Sequence, residues 1–131
     1  MTGSAFDAIR AVDYTVIITR DFAAMRTFYE SVLRFELERA LSETWLEYRV
    51  GSTILALSQP GLTAQDDPVS PGTASLQLAF CVARDDVDAC AAELAEKDIE
   101  ILSPPTDRDF GHRTLFFRDP DGNLLEIYAE I

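Results

Sequence analysis

Basic residues are scarce. The chain sets 11 Lys+Arg against 23 Asp+Glu, a formal net charge of -12. A field of that sign repels phosphate backbones and anionic lipid, so neither a nucleic-acid nor a membrane-surface partner is expected. Cysteine is scarce as well. Its two residues, Cys81 and Cys90, fall in segments that read as strand and helix. They form neither a disulfide framework nor a metal knuckle, which fits a reducing cytoplasm. There is one histidine, His112. No apolar run approaches the ~18–20 residues of a membrane helix, and residues 1–5 show neither the basic start nor the apolar stretch of a secretory signal. What is present is a globular composition of 131 residues, 47% hydrophobic and 26% charged. A domain of that size builds a core without staples.

Hydrophobic period orders the chain. Residues 12–19 are rich in β-branched side chains and read as a strand. Asp21 offers a carboxylate at a helix start, and Phe22, Met25, Phe28, Tyr29, Val32 and Leu33 follow at helical spacing. The period then drops to two, through a strand near residues 36–41 and a hairpin of residues 45–50 and 53–58. Residues 59–72, with Pro60, Gly61, Pro68, Pro71 and Gly72, carry no period and read as a linker. The order then recurs. Residues 75–82 form a strand, and Asp85 or Asp86 opens a helix carrying Val87, Cys90, Ala91 and Leu94. A strand begins at Ile99 and is expected to break at Pro104 and Pro105. The last hairpin is 113–118 and 124–128, around Asp119-Pro120-Asp121-Gly122-Asn123, where Pro120 presets φ and Gly122 takes the positive φ of a tight turn. Identities between the halves are poor, but the element order matches, which marks an internal duplication.

With that duplication in hand, the chain resembles the vicinal oxygen chelate superfamily of glyoxalase I, bleomycin-resistance proteins, fosfomycin-resistance enzymes and extradiol dioxygenases. The resemblance rests on residues 12–19 leading into Phe28-Tyr29 and Val32-Leu33-Arg34-Phe35, on residues 76–82, and above all on residues 116–126. Arg34 departs from the pattern, standing where the family usually has glycine. The resemblance implies an α+β fold of two βαβββ modules, residues 10–58 and 73–131. Their strands curl as a mixed sheet around a concave cavity, with helices on the convex face. It also implies a homodimer, since the family commonly shares modules between chains.

By the same match, Tyr14, Trp45, Glu47, Arg49, Ala56, Gln77, Cys81, Phe116, Glu126 and Tyr128 face the cavity. Metal-using relatives take one ligand from each of four strands, and those positions here hold Tyr14, Ala56, Gln77 and Glu126. Alanine has no donor, and a phenol must ionise to bind a cation well. A divalent metal or other cofactor is therefore not expected. Glu126 reads either as a general base or as a carboxylate that bonds Gln77 or Arg49 or recognises a cationic or hydroxylated ligand. Trp45, with Tyr14, Phe116 and Tyr128, reads as an aromatic clamp or as plain packing. Glu47 and Arg49 read as a cavity ion pair or an exposed one. His112 is expected in an exposed loop, and Cys81 as an inert lining residue. Two functions follow. One is a binder of a small, partly aromatic or cationic organic molecule. The other is a metal-dependent glyoxalase-like lyase or dioxygenase using Glu126 as ligand or base.

Overall fold

The computed structural model describes residues 3–64, 66–67, 70 and 73–131. A short 3-10 turn, Ala5–Ala8, precedes β1 (Tyr14–Ile18), α1 (Phe22–Thr27), β2 (Glu36–Ser42), β3 (Trp45–Val50) and β4 (Thr53–Ser58). The second half contains β5 (Gln77–Cys81), α2 (Asp86–Glu96), β6 (Ile101–Asp107), β7 (His112–Arg118) and β8 (Leu124–Glu130). Each half folds into a four-stranded sheet, ordered β1-β4-β3-β2 and β5-β8-β7-β6. In both, the first strand lies parallel to the last and the other pairings are antiparallel. The duplication read from element order is thus a duplication of topology. The fold is α+β, with sheets that curl without closing.

Period two explains how the sheets bury one face. Ile17, Leu46, Tyr48, Leu55 and Leu57 in the first sheet join Leu115, Phe117, Leu125, Ile127 and Ala129 in the second as one core. The alternating residues point the other way. Fully burying a Leu such as Leu46, Leu57, Leu115 or Leu125 stabilises the fold by about 1.5–3 kcal/mol each. Met25, Phe28 and Tyr29 carry the first helical stripe into this core. The core crosses between the halves, with Phe28 and Phe117 ring centroids 6.4 Å apart and those of Phe35 and Phe80 5.6 Å apart.

Both helices end alike. The Asp21 carboxylate caps α1 by accepting from the Ala24 N–H at 3.0 Å, whereas Asp85 precedes α2 without a side-chain cap bond. The first helix continues as a π-turn over Phe28–Val32. The Phe35 N–H then donates to the Tyr29 carbonyl, and the Ile99 N–H to the Leu94 carbonyl. These closures, seven residues long after the π-turn and six after α2, need a left-handed residue just past the helix, and Arg34 (φ 62) and Asp98 (φ 59) take it.

Two sequence expectations are corrected. The strand through Pro104 and Pro105 does not break. It runs from Ile101 to Asp107, with pairing irregularities between Ile101 and Ser103 and between Ser103 and Thr106. β6 is an edge strand, so a missing N–H leaves no central ladder bond unmade. His112 is not in a loop; it opens β7.

The turn between β7 and β8 joins the halves. Asp119, Asp121 and Asn123 are all buried. The Asp119 carboxylate accepts from Tyr29 Oη at 2.8 Å, from the Asn123 N–H at 3.0 Å and from Asn123 Nδ2 at 3.1 Å. The Asp121 carboxylate accepts the backbone N–H groups of Arg20 (2.7 Å) and Asp21 (3.1 Å), and the Arg20 guanidinium donates to the Asp121 carbonyl. A motif read as a hairpin turn is therefore also the clamp that positions the start of α1.

Candidate functional site

The face opposite the helices carries every side chain the resemblance singles out. Along β8, Leu124, Glu126 and Tyr128 alternate with the core residues Leu125, Ile127 and Ala129. Register sets their neighbours. Glu126 lies between Ala79 of β5 and Phe116 of β7, and Tyr128 lies between Cys81 and Thr114. Gln77 Nε2 donates to Glu126 Oε1 at 3.3 Å. This is the hydrogen-bonded reading of the carboxylate, with Gln77 rather than Arg49 as its partner. Glu126 makes no salt bridge among the described residues. One half-buried carboxylate thus stands beside Phe116 and Tyr128 with no ion pair among the described residues.

The same face holds groups that a reading by motif does not find. The His112 imidazole stacks on the Tyr128 ring, with centroids 4.6 Å apart and planes 25° apart, and Phe110 meets the imidazole in an edge-to-face arrangement at 5.3 Å. His112 is half-buried against this wall, which replaces its expected place in an exposed loop. Arg108 folds back from the β6–β7 connection, and its Nε donates to Thr114 Oγ1 at 2.9 Å and Nη2 to Ser103 Oγ at 3.1 Å. The Cys81 thiol is exposed beside Tyr128. The neighbouring Cys81 side chain, through hydrogen bonding, is the main influence raising the Tyr128 phenol above its ordinary range, with desolvation and the Glu130 and Glu126 carboxylates adding to it. The period-two run His112, Thr114, Phe116 was a signal for His112. Nothing local in the sequence places Arg108.

A second cluster occupies the first sheet. Trp45 Nε1 donates to Glu47 Oε2 at 2.8 Å, and Arg39 Nε donates to Glu47 Oε1 at 3.2 Å. The indole bond, then Arg39, holds the Glu47 carboxyl below its usual range. Arg49 does not meet Glu47; it pairs with Glu38 of β2 at 3.0 Å. Tyr14 is 55% exposed. Among the described residues no hydrogen bond joins the Trp45–Glu47 group to the Gln77–Glu126 group.

The four metal positions do not converge on a donor set. Ala56 is fully buried and has no donor atom, and it aligns with Val16 rather than with Tyr14, which aligns with Ile54. Gln77 and Glu126 do meet, but two oxygen donors fall short of the three protein ligands that an open transition-metal site uses. No cluster of three or more His, Cys, Asp or Glu residues with metal-site geometry occurs among the described residues. The residues present do not fit the family's metal.

Comparison with known proteins agrees with this architecture. Residues 11–127 match the Glyoxalase/Bleomycin resistance protein/Dioxygenase superfamily model. The chain is 35% identical to YwkD of Bacillus subtilis (strain 168) over 132 residues, covering 93% of this chain and 98% of that protein. It is 31% identical to YaeR of Escherichia coli (strain K12) over 130 residues, again covering 93% and 98%. A solved glyoxalase/bleomycin resistance protein/dioxygenase structure from Nocardioides superposes with a TM-score of 0.79 at 22% identity, covering 95% of this chain and 85% of that one. The match over nearly the whole chain and the shared fold carry the conclusion: the chain belongs to the glyoxalase/bleomycin resistance protein/dioxygenase superfamily.

Proposed function

We propose that the chain binds a small, partly aromatic organic cation on the face carrying Glu126, and that it does so without the family's metal. The observation that supports this is the Glu126 carboxylate, held by the neutral Gln77 amide and flanked by Phe116 and Tyr128, with no ion pair among the described residues. A planar cation on that wall gains a charge-assisted hydrogen bond and the attraction of aromatic faces for positive charge. Trp45 and Glu47, already bonded to each other, repeat the pairing of ring and carboxylate on the first sheet. With Tyr14 and Arg49 they form a second wall. A homodimer brings such walls together across two copies and so encloses the ligand. Scattering mass at micromolar concentration checks this, and a value near 14.6 kDa refutes the dimer. Among the described residues no helix is long and apolar enough to cross a membrane, and the binding role suits a cytoplasmic protein.

A thermal-shift screen tests the ligand class. Planar organic cations are set against Ni²⁺, Zn²⁺, Mn²⁺ and Fe²⁺. A ligand at a hundred times its Kd stabilises the native state by about 2.7 kcal/mol. Stabilisation by cations, lost in Glu126→Gln, supports the binder. Stabilisation by a metal alone, lost in the same variant, overturns it in favour of the lyase or dioxygenase.

A further inference from the structure

A recess of about 430 Å³ opens on the convex side, where the end of the π-turn, β5 and α2 converge. Its volume is within the ~300–1,000 Å³ of small-molecule sites. Val32, Phe35, Val50, Phe80, Val82 and Leu94 give it apolar walls, and each belongs to or packs against the core. Cys90 also lines it. Burial, helped by Asp86 and Glu93, pushes that thiol up and keeps it neutral, so the interior carries no charge.

The charges sit at the lip, on Arg34 and Glu93. They are not equivalent. Glu93 Oε2 is taken by Lys97 Nζ at 2.8 Å, and Lys97 also donates to the Val32 carbonyl at 2.8 Å. The Arg34 guanidinium has no hydrogen bond or ion pair among the described residues, only the longer-range attraction of Glu93. Most other basic residues of the chain are bonded. Arg34 is also held at φ 62, where an L side chain is strained relative to glycine.

We propose that this recess binds a small apolar carboxylate, its hydrocarbon body between Phe35, Phe80 and Leu94 and its carboxylate forked on Arg34. Three features select that class. Apart from the Cys90 thiol the walls carry apolar side chains, which offer little to a sugar or nucleoside; Arg34 is the one basic side chain lining the recess among the described residues and matches one negative charge; and a guanidinium pairs with a carboxylate through two parallel bonds. A dianion would meet Glu93 as well. The site lies on the helix side of the sheets and does not depend on the reading of the Glu126 face.

The test titrates the full chain calorimetrically with decanoate, decanol and decylammonium, each below its micelle threshold, with methyl NMR to locate binding. Decanoate is expected to bind about tenfold more tightly than decanol, with decylammonium weakest and shifts at Val32, Val82 and Leu94. Arg34→Gly suits the backbone at φ 62 and so keeps the fold. It should abolish the preference for decanoate and leave decanol affinity unchanged. Equal affinities for the three probes, a preference that survives Arg34→Gly, or shifts confined to the Glu126 face would each overturn the assignment.

Discussion

Tyr29→Phe removes one oxygen and nothing else, and the structure gives it a defined consequence. Tyr29 is fully buried, and its hydroxyl is one of three donors to the Asp119 carboxylate, itself only 4% exposed. Burial pushes the Asp119 carboxyl above its ordinary range, while the bonds from Asn123 and Tyr29 pull it back. Water does not replace the lost donor in a packed core. A hydrogen bond to a charged group is worth about 1.5–3 kcal/mol, so urea unfolding at neutral pH should show a loss of about 2 kcal/mol. At about 3–4 °C per kcal/mol for a chain of this length, the midpoint falls by roughly 6–8 °C. The loss must also depend on pH. The folded pKa of Asp119 is raised, so its protonated form is the one that folding favours, and the ionised form needs its donors most. As pH falls through the folded pKa, the carboxyl becomes neutral, the missing hydroxyl matters less, and variant and parent should converge. A neutral-pH difference below about 0.5 kcal/mol, or one that stays constant into the acid range, refutes the reasoning.

Asp121→Ala strips the acceptor from two backbone N–H groups at the start of α1. Urea unfolding should show a loss of about 3 kcal/mol. Arg34→Gly relieves a left-handed arginine at the greater chain entropy of glycine, and the net should be a gain of about 0.5–1 kcal/mol by calorimetry. Glu126→Gln removes a charge whose one side-chain partner among the described residues is Gln77. It should weaken binding of planar cations about tenfold while leaving the melting midpoint within a degree or two.

Much of the fold follows from periodicity alone. Alternation in β3 puts Leu46 and Tyr48 on one face and Trp45 and Glu47 on the other whatever the rest of the chain does. The stripe of Met25, Phe28 and Tyr29 likewise determines which side of the helix is buried, because side chains three and four apart share a face. The turn chemistry of Pro120 and Gly122 places the last hairpin, and the strand after it carries Glu126 to the face opposite the core. Alanine at position 56 excludes a side-chain metal donor there whatever the fold.

Other features depend on contacts between residues far apart in the chain, and no local pattern encodes those. Tyr29 and Asp119 are ninety positions apart, and only the packing of one module's helix on the other's turn makes a buried pair of them. Pro104 and Pro105 look like strand breakers until β6 proves to be an edge. His112 precedes an apolar run and reads as a loop residue until its ring is found on Tyr128. The partners of Glu47 and Arg49 were decided by β2, whose residues Arg39 and Glu38 take one each. The recess beneath Arg34 exists only because α2, β5 and the end of the π-turn, all distant in sequence, leave a gap there. Sequence sets which face each side chain presents, since that needs only the period of its own element; tertiary structure sets which side chains meet, since that needs the position of every other element.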